Sequence, residues 1–241
     1  MDLGTIEGTE EFNNAGALMG INGMLDNEEL LGALKRMNPL QRQHTLNKLV
    51  NVQIPSRGSR LEMEKHFNEL AGHIKSGLKN GDLRLADTII YSIKPATSKT
   101  IKMFETQDDK EIGLRNISNA KLPKNQSLLV SGIILLAGVS ADATKDKIMA
   151  TNFAKIESIP ALANGEFSLK ANKKQIVPET SNAVFKTDNN HNIQFGYYKL
   201  ANPRLIQDDI LIEMSIELGT MDGIANNTQI FVGLHGTITT P

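Results

Sequence analysis

The stretch LLVSGIILLAGV, residues 128–139, constrains the fold more than any other part of this chain. No side chain ionises between Lys124 and Asp142. A helix needs about 20 apolar residues to span a bilayer, and this run is several short. It also contains Gly132 and Gly138 and sits among short β-branched segments. With a period of two, Leu128, Val130, Ile134 and Leu136 fall on one face and Leu129, Ile133, Leu135 and Val139 on the other. Both faces are apolar, so the reading is a strand covered on both sides. One cover is the core of a sandwich. The other is the helical N-terminal segment or a neighbouring subunit, which makes Leu128, Val130, Ile134 and Leu136 a candidate subunit-interface strand.

The surrounding sequence has the same texture from residue 95 onward. TIKMFET, EIGLRNI, TNFAKIESI, GEFSLKAN, NAVFKT and NIQFGYYKL fit strands separated by turn-forming residues. RLIQDDILIEMSIELG reads as one half-buried strand, with Ile206, Ile210, Ile212, Met214, Ile216 and Leu218 on a single parity. NNTQIFVGLHGTITT ends the chain similarly, with Ile230, Val232, Leu234 and Ile238 on one side. Eight to ten strands at roughly 8–12-residue spacing predict an antiparallel sandwich of jelly-roll type.

The first 94 residues differ. Residues 1–30 carry seven acids and no Lys or Arg, whereas residues 31–60 carry six bases and no acid. Residues 1–25, rich in Gly and Asn, read as an extended arm, and residues 26–94 as a helical region. Ser59 to Glu62 has the form of a capping box, Met63, Phe67, Leu70, Ile74 and Leu78 follow at helical spacing, and Asn80-Gly81 supplies a stop. Residues 83–93 fit a short helix or a strand, and the helix is favoured. The fold class is therefore α+β, mainly β: an antiparallel jelly-roll-like sandwich over 95–241, preceded by a helical N-terminal region.

The same residues yield few leads toward chemistry. With no cysteine, disulfides, thiol catalysis and Cys-held zinc are excluded. Glu62, His66, Glu69 and His73 would lie near one helix face, but without the HExxH or ExxH spacing of established metal helices. Their plain reading is Glu–His pairing on a solvated surface. TDNNHN, residues 187–192, reads as a turn rather than a calcium loop. No nucleophile elbow and no phosphate-binding glycine loop is present. The expectation is a protein that is not an enzyme, with no cofactor and no bound metal. Lys35, Arg36, Arg42, Lys48, Arg57 and Arg60 are the candidate contact residues, for nucleic acid, an internal lipid surface or the acidic arm of the same or a neighbouring chain.

In the β-half, LPKNQSLLVSGIILLAGV, FSLKANKKQIVPET and YYKLANPRLIQDDILIEMSIELG resemble the jelly-roll virion structural proteins of bacterial viruses. The resemblance covers about residues 95–241. It implies a capsid or coat subunit that self-assembles into a symmetric shell, partnered by itself and other virion proteins. Located in the virion, such a subunit would be made in the host cytoplasm, and MDLGTIEGTEEF has no secretory-signal pattern. The alternative is a sandwich binding module that recognises a glycan or host receptor through loops such as TDNNHN.

Overall fold

The computed structural model describes residues 58–187 and 194–241. The chain divides between Arg84 and Leu85 into two compact units. In the first, α1 (Gly58–Lys65) stops short of the continuous helix expected over 59–78. A single 3-10 turn, Phe67–Glu69, follows, and Leu70 and Ala71 are extended before α2 (Gly72–Asn80) begins. The interruption keeps Met63, Leu70 and Ile74 buried while Phe67 is only half-buried. Gly81 ends α2 in the left-handed conformation, φ 82°, as Asn80-Gly81 foretold.

The second unit is an eight-strand antiparallel sandwich. Its strands are β1 (Arg84–Pro95), β2 (Thr100–Lys102), β3 (Leu128–Val139), β4 (Glu166–Ala171), β5 (Lys174–Ser181), β6 (Tyr197–Ile206), β7 (Ile212–Glu217) and β8 (Thr228–Thr240). One sheet has the order β1-β8-β3-β6 and the other β2-β7-β4-β5. Consecutive strands change sheet at every connection except the β4–β5 hairpin, in the jelly-roll manner, so the expected topology is present. Residues 84–95 correct the favoured helix: the β-branched and aromatic run Thr88–Ile93 outweighs its helical spacing, and the sandwich starts ahead of residue 95.

β3 lies inside its sheet, paired with β8 on one side and β6 on the other. Its register shifts between Val130 and Gly132, where Ser131 is the extra residue of a bulge. Leu128, Val130, Ile133, Leu135 and Ala137 enter the core between the sheets, whereas Leu129 and Ile134 are equally buried but lie outside it. Both faces of β3 are thus covered, as the sequence predicted, but the assignment of residues to faces is corrected. The bulge resets the period of two, so Leu128 and Val130 do not share a face with Ile134 and Leu136. Opposite Gly132, the Tyr197 ring and its hydroxyl occupy the space that a Cβ would need. Only glycine fits there without moving that ring.

β7 keeps the expected alternation, with Ile212, Met214 and Ile216 buried. The sixteen-residue strand that contained it is a second correction. Asp208 and Asp209 turn the chain from β6 in one sheet to β7 in the other, with Asp209 at φ 55°. Parity survives the corner because both strands face one core. EIGLRNI, TNFAKIESI and NAVFKT are not strands either. The first meets β1 through one isolated bridge, Ser92 with Arg115, and folds on itself through another, Glu111 with Arg115; the second contains a 3-10 turn at Ile156–Ser158, and the third is 3-10 at Asn182–Phe185. In the last, the Ser181 hydroxyl accepts from the Ala183 N–H, and the buried Asn182 amide donates to the Leu162 carbonyl. Such side-chain bonds compete with a strand ladder. Two short helices, α3 (Lys145–Met149) and α4 (Pro160–Ala163), interrupt the long β3–β4 connection.

Candidate functional site

Four strands form the sheet edges, and each edge is managed differently. β2 has only three residues. β5 carries Pro178 and two register shifts against β4. β6 departs from β3 over Leu200–Pro203, since Lys199 pairs with Gly132 and Arg204 with Val130. Proline, bulges and shortness all discourage strand addition. The twelve-residue β1 reaches a proline only at its last residue, Pro95, and is covered as well.

Its cover is the segment from Glu111 to Asn116, within the β2–β3 connection. The Ile93 N–H donates to the Leu114 carbonyl at 2.9 Å. Asn116 spans two positions, accepting from the Tyr91 N–H at 2.9 Å and donating from its amide to the Ile89 carbonyl at 2.7 Å. An ion cluster lies beside it. Lys94 Nζ is 2.6 Å from Glu105 and 2.7 Å from Asp108, and Asp108 also contacts Arg115 at 3.3 Å. These four side chains are partly shielded, so their attraction is less screened than that of an open surface pair. Sequence reading missed the cluster because its members come from β1 and two parts of a loop.

A second polar group surrounds the bulge. Ser131 Oγ lies 3.4 Å from His235 Nδ1 and 3.3 Å from the His235 carbonyl. The Tyr197 ring meets the imidazole edge-on, with centroids 5.6 Å apart. Burial pushes the Tyr197 hydroxyl above its ordinary pKa, opposed by a hydrogen bond with Ser131. A serine beside a histidine has the elements of a nucleophile and base. Yet no carboxylate orients the ring among the described residues, and Ser131 is itself buried. The arrangement joins β3, β6 and β8 and suits a structural role.

An open cleft of about 520 Å³ is lined by Ala154, Lys155, Glu157, Ser158, Lys186 and Thr187. Lys155 Nζ donates to the Thr187 carbonyl at 2.5 Å and sits 4.8 Å from the ring centroid of the exposed Phe195. Glu157 accepts from the Thr187 N–H at 3.1 Å.

The residues singled out from sequence are dispersed. Lys35, Arg36, Arg42, Lys48 and Arg57 lie outside the described residues, as do residues 188–192 of TDNNHN, and Arg60 is on α1. His66 Nδ1 is 2.9 Å from Glu69 Oε1, but His73 belongs to the separate α2. Among the described residues no three His, Asp or Glu side chains converge as a metal ion would require. No described helix is long and apolar enough to cross a membrane. No protein-family model matches the chain, and no curated protein matches it either.

Proposed function

We propose that this chain is a virion structural protein, a capsid or coat subunit that self-assembles into a symmetric shell. The observation that carries the reading is the strand order β1-β8-β3-β6 facing β2-β7-β4-β5, an eight-strand jelly roll of the kind recurrent in viral capsids. Fold alone is an argument by analogy. It is joined by the charge segregation of residues 1–60, which supplies an acidic and a basic partner within one chain.

Subunits with defended sheet edges associate through loops and faces. Ile112 is 87% exposed, and a Cβ added to its neighbour Gly113 would stand 2.9 Å from the sulfur of Met149, itself 41% exposed. Both are large apolar side chains left exposed, suited to contact between copies or with other virion proteins. Residues 31–60, with Lys35, Arg36, Arg42, Lys48, Arg57 and Arg60, are assigned to the genome, an internal lipid surface or the acidic segment of a neighbour. The test is removal of residues 1–25. Particle formation by the truncated chain should fall sharply, whereas unchanged particles would remove this segment from assembly.

The second reading is a module that binds a glycan or host receptor. It draws on the cleft at Lys155, where the exposed Phe195 ring offers a face for sugar stacking. Selective retention on a glycan array, abolished by Phe195→Ala, is the outcome that would favour it.

A further inference from the structure

We propose that Lys94 and Asp108 are joined by a covalent cross-link, an isopeptide bond that the folded chain makes within itself with Glu105 as proton carrier. Lys94 shares its strand parity on β1 with Ile90 and Ala96 of the core, and its side chain is 15% exposed against 13% for Asp108. Its ammonium donates to Glu105 Oε2 at 2.6 Å and to Asp108 Oδ1 at 3.0 Å. Nζ also lies 2.7 Å from Asp108 Oδ2, off the hydrogen-bonding direction, so this buried oxygen has no hydrogen-bond partner. Two oxygens of one carboxylate this close to Nζ put the carbon that joins them within about 3.5 Å of it, the near-attack range for bond formation. The backbone fixes both ends. The Asp108 N–H donates to the Glu105 carbonyl at 3.1 Å and the Asn119 N–H to the Asp108 carbonyl at 2.8 Å, while Ile93 and Ala96 donate on either side of Lys94. Ser92, Phe104, Ile117 and Ala120 line a cavity beside Asp108 that is too small for a water molecule, so one side of the reacting pair is dry.

The chemistry balances inside the cluster. Nζ passes one proton to Asp108 Oδ2, which leaves a neutral amine facing a neutral acid. The amine nitrogen attacks Cγ, and Glu105 takes a second proton from it. The negative charge that develops on Oδ1 faces Arg115 at 3.3 Å, whose guanidinium stabilises it. As the carbonyl re-forms at Oδ1 the Cγ–Oδ2 bond breaks, and Glu105 returns its proton to the departing hydroxyl. The products are one amide and one water, with Glu105 and Arg115 unchanged and no outside reagent consumed. The oxygen that leaves is the one without a hydrogen bond, and the oxygen that stays is the one Arg115 holds. With no cysteine, the chain has no disulfide to tie β1 to the connection that covers it. The amide ties them whatever the redox conditions.

The experiment is the intact mass of the full chain under denaturing conditions, taken at once after purification and again after prolonged incubation at neutral pH. Wild type should lack the mass of one water, and digestion should release a branched peptide that joins the segments around Lys94 and Asp108. Glu105→Gln and, separately, Lys94→Met should carry the full mass of their sequences at both times. A wild-type chain of full mass at both times would overturn the cross-link. So would a missing water without the branched peptide, since an aspartate can close a ring on its own backbone with the same loss. A Glu105→Gln chain that still forms the branch would overturn the role of Glu105. The readout is covalent and belongs to a single chain, so it stands apart from whether copies assemble into a shell.

Discussion

Tyr197 illustrates how much one side chain does on the outer side of the β1-β8-β3-β6 sheet. It fills the space above Gly132, packs edge-on against His235 and hydrogen-bonds with Ser131. Because burial raises its pKa, the folded chain holds the phenolic proton more tightly than the unfolded one. Its contribution is complete below the ordinary value of 10.0 and is lost as pH rises through the folded value. Tyr197→Phe should therefore cost about 1 kcal/mol near neutral pH by removing the hydroxyl bond, and should flatten the loss of stability above pH 10.0. Urea unfolding on both sides of that pH checks it, and an alkaline limb as steep as wild type would contradict it. None of this was legible in the sequence. GYYKL marks a strand, but nothing in it says which tyrosine covers a glycine of β3, a neighbour in the sheet that is distant in the chain. By contrast, the inward set Ile212, Met214 and Ile216 was readable residue by residue, because unbroken alternation opposite a solvated face has one solution.

At the scale of elements, legibility failed where a local device overrode periodicity. The bulge at Ser131 reset the parity of β3, and Ser131 and Gly132 carry no period of their own. Treating Ser131 as an extra residue has a direct consequence. Its deletion should leave Leu128, Val130, Ile133 and Leu135 facing inward and close the ladder with β8, costing about 1–2 kcal/mol for the lost hydroxyl contacts. Deletion of Ile133 should instead turn Ile134 and Leu136 inward, expel Leu135 and prevent folding. Calorimetry of the two deletions separates them, and equal damage from both would contradict the bulge assignment. The helix expected over 83–93 was lost to β-branching. The single strand over 204–219 was divided by Asp208-Asp209, a turn pair that its flanking alternation concealed.

The whole molecule was more legible than its parts. Uncharged, doubly apolar β3, alternating β7 and β8 and regularly spaced turns sufficed for a sandwich, since these patterns can be buried in few ways. What a sequence could not display was the treatment of its edges, which depends on segments distant in the chain. Ile112 tests the assembly account at this scale. At 87% exposure it contributes little to stability, so Ile112→Lys should leave the unfolding transition within about 0.5 kcal/mol of wild type while reducing self-association. Association undiminished by the charge would remove Ile112 from the contact.

The measurement to make first is the mass of the purified full-length chain by light scattering, at low and high salt, with negative-stain images of each fraction. The expected result is regular shells, or closed oligomers that loosen as salt screens the acidic and basic segments of residues 1–60. A monodisperse monomer at every salt and protein concentration would contradict a shell subunit and leave the binding-module reading in its place.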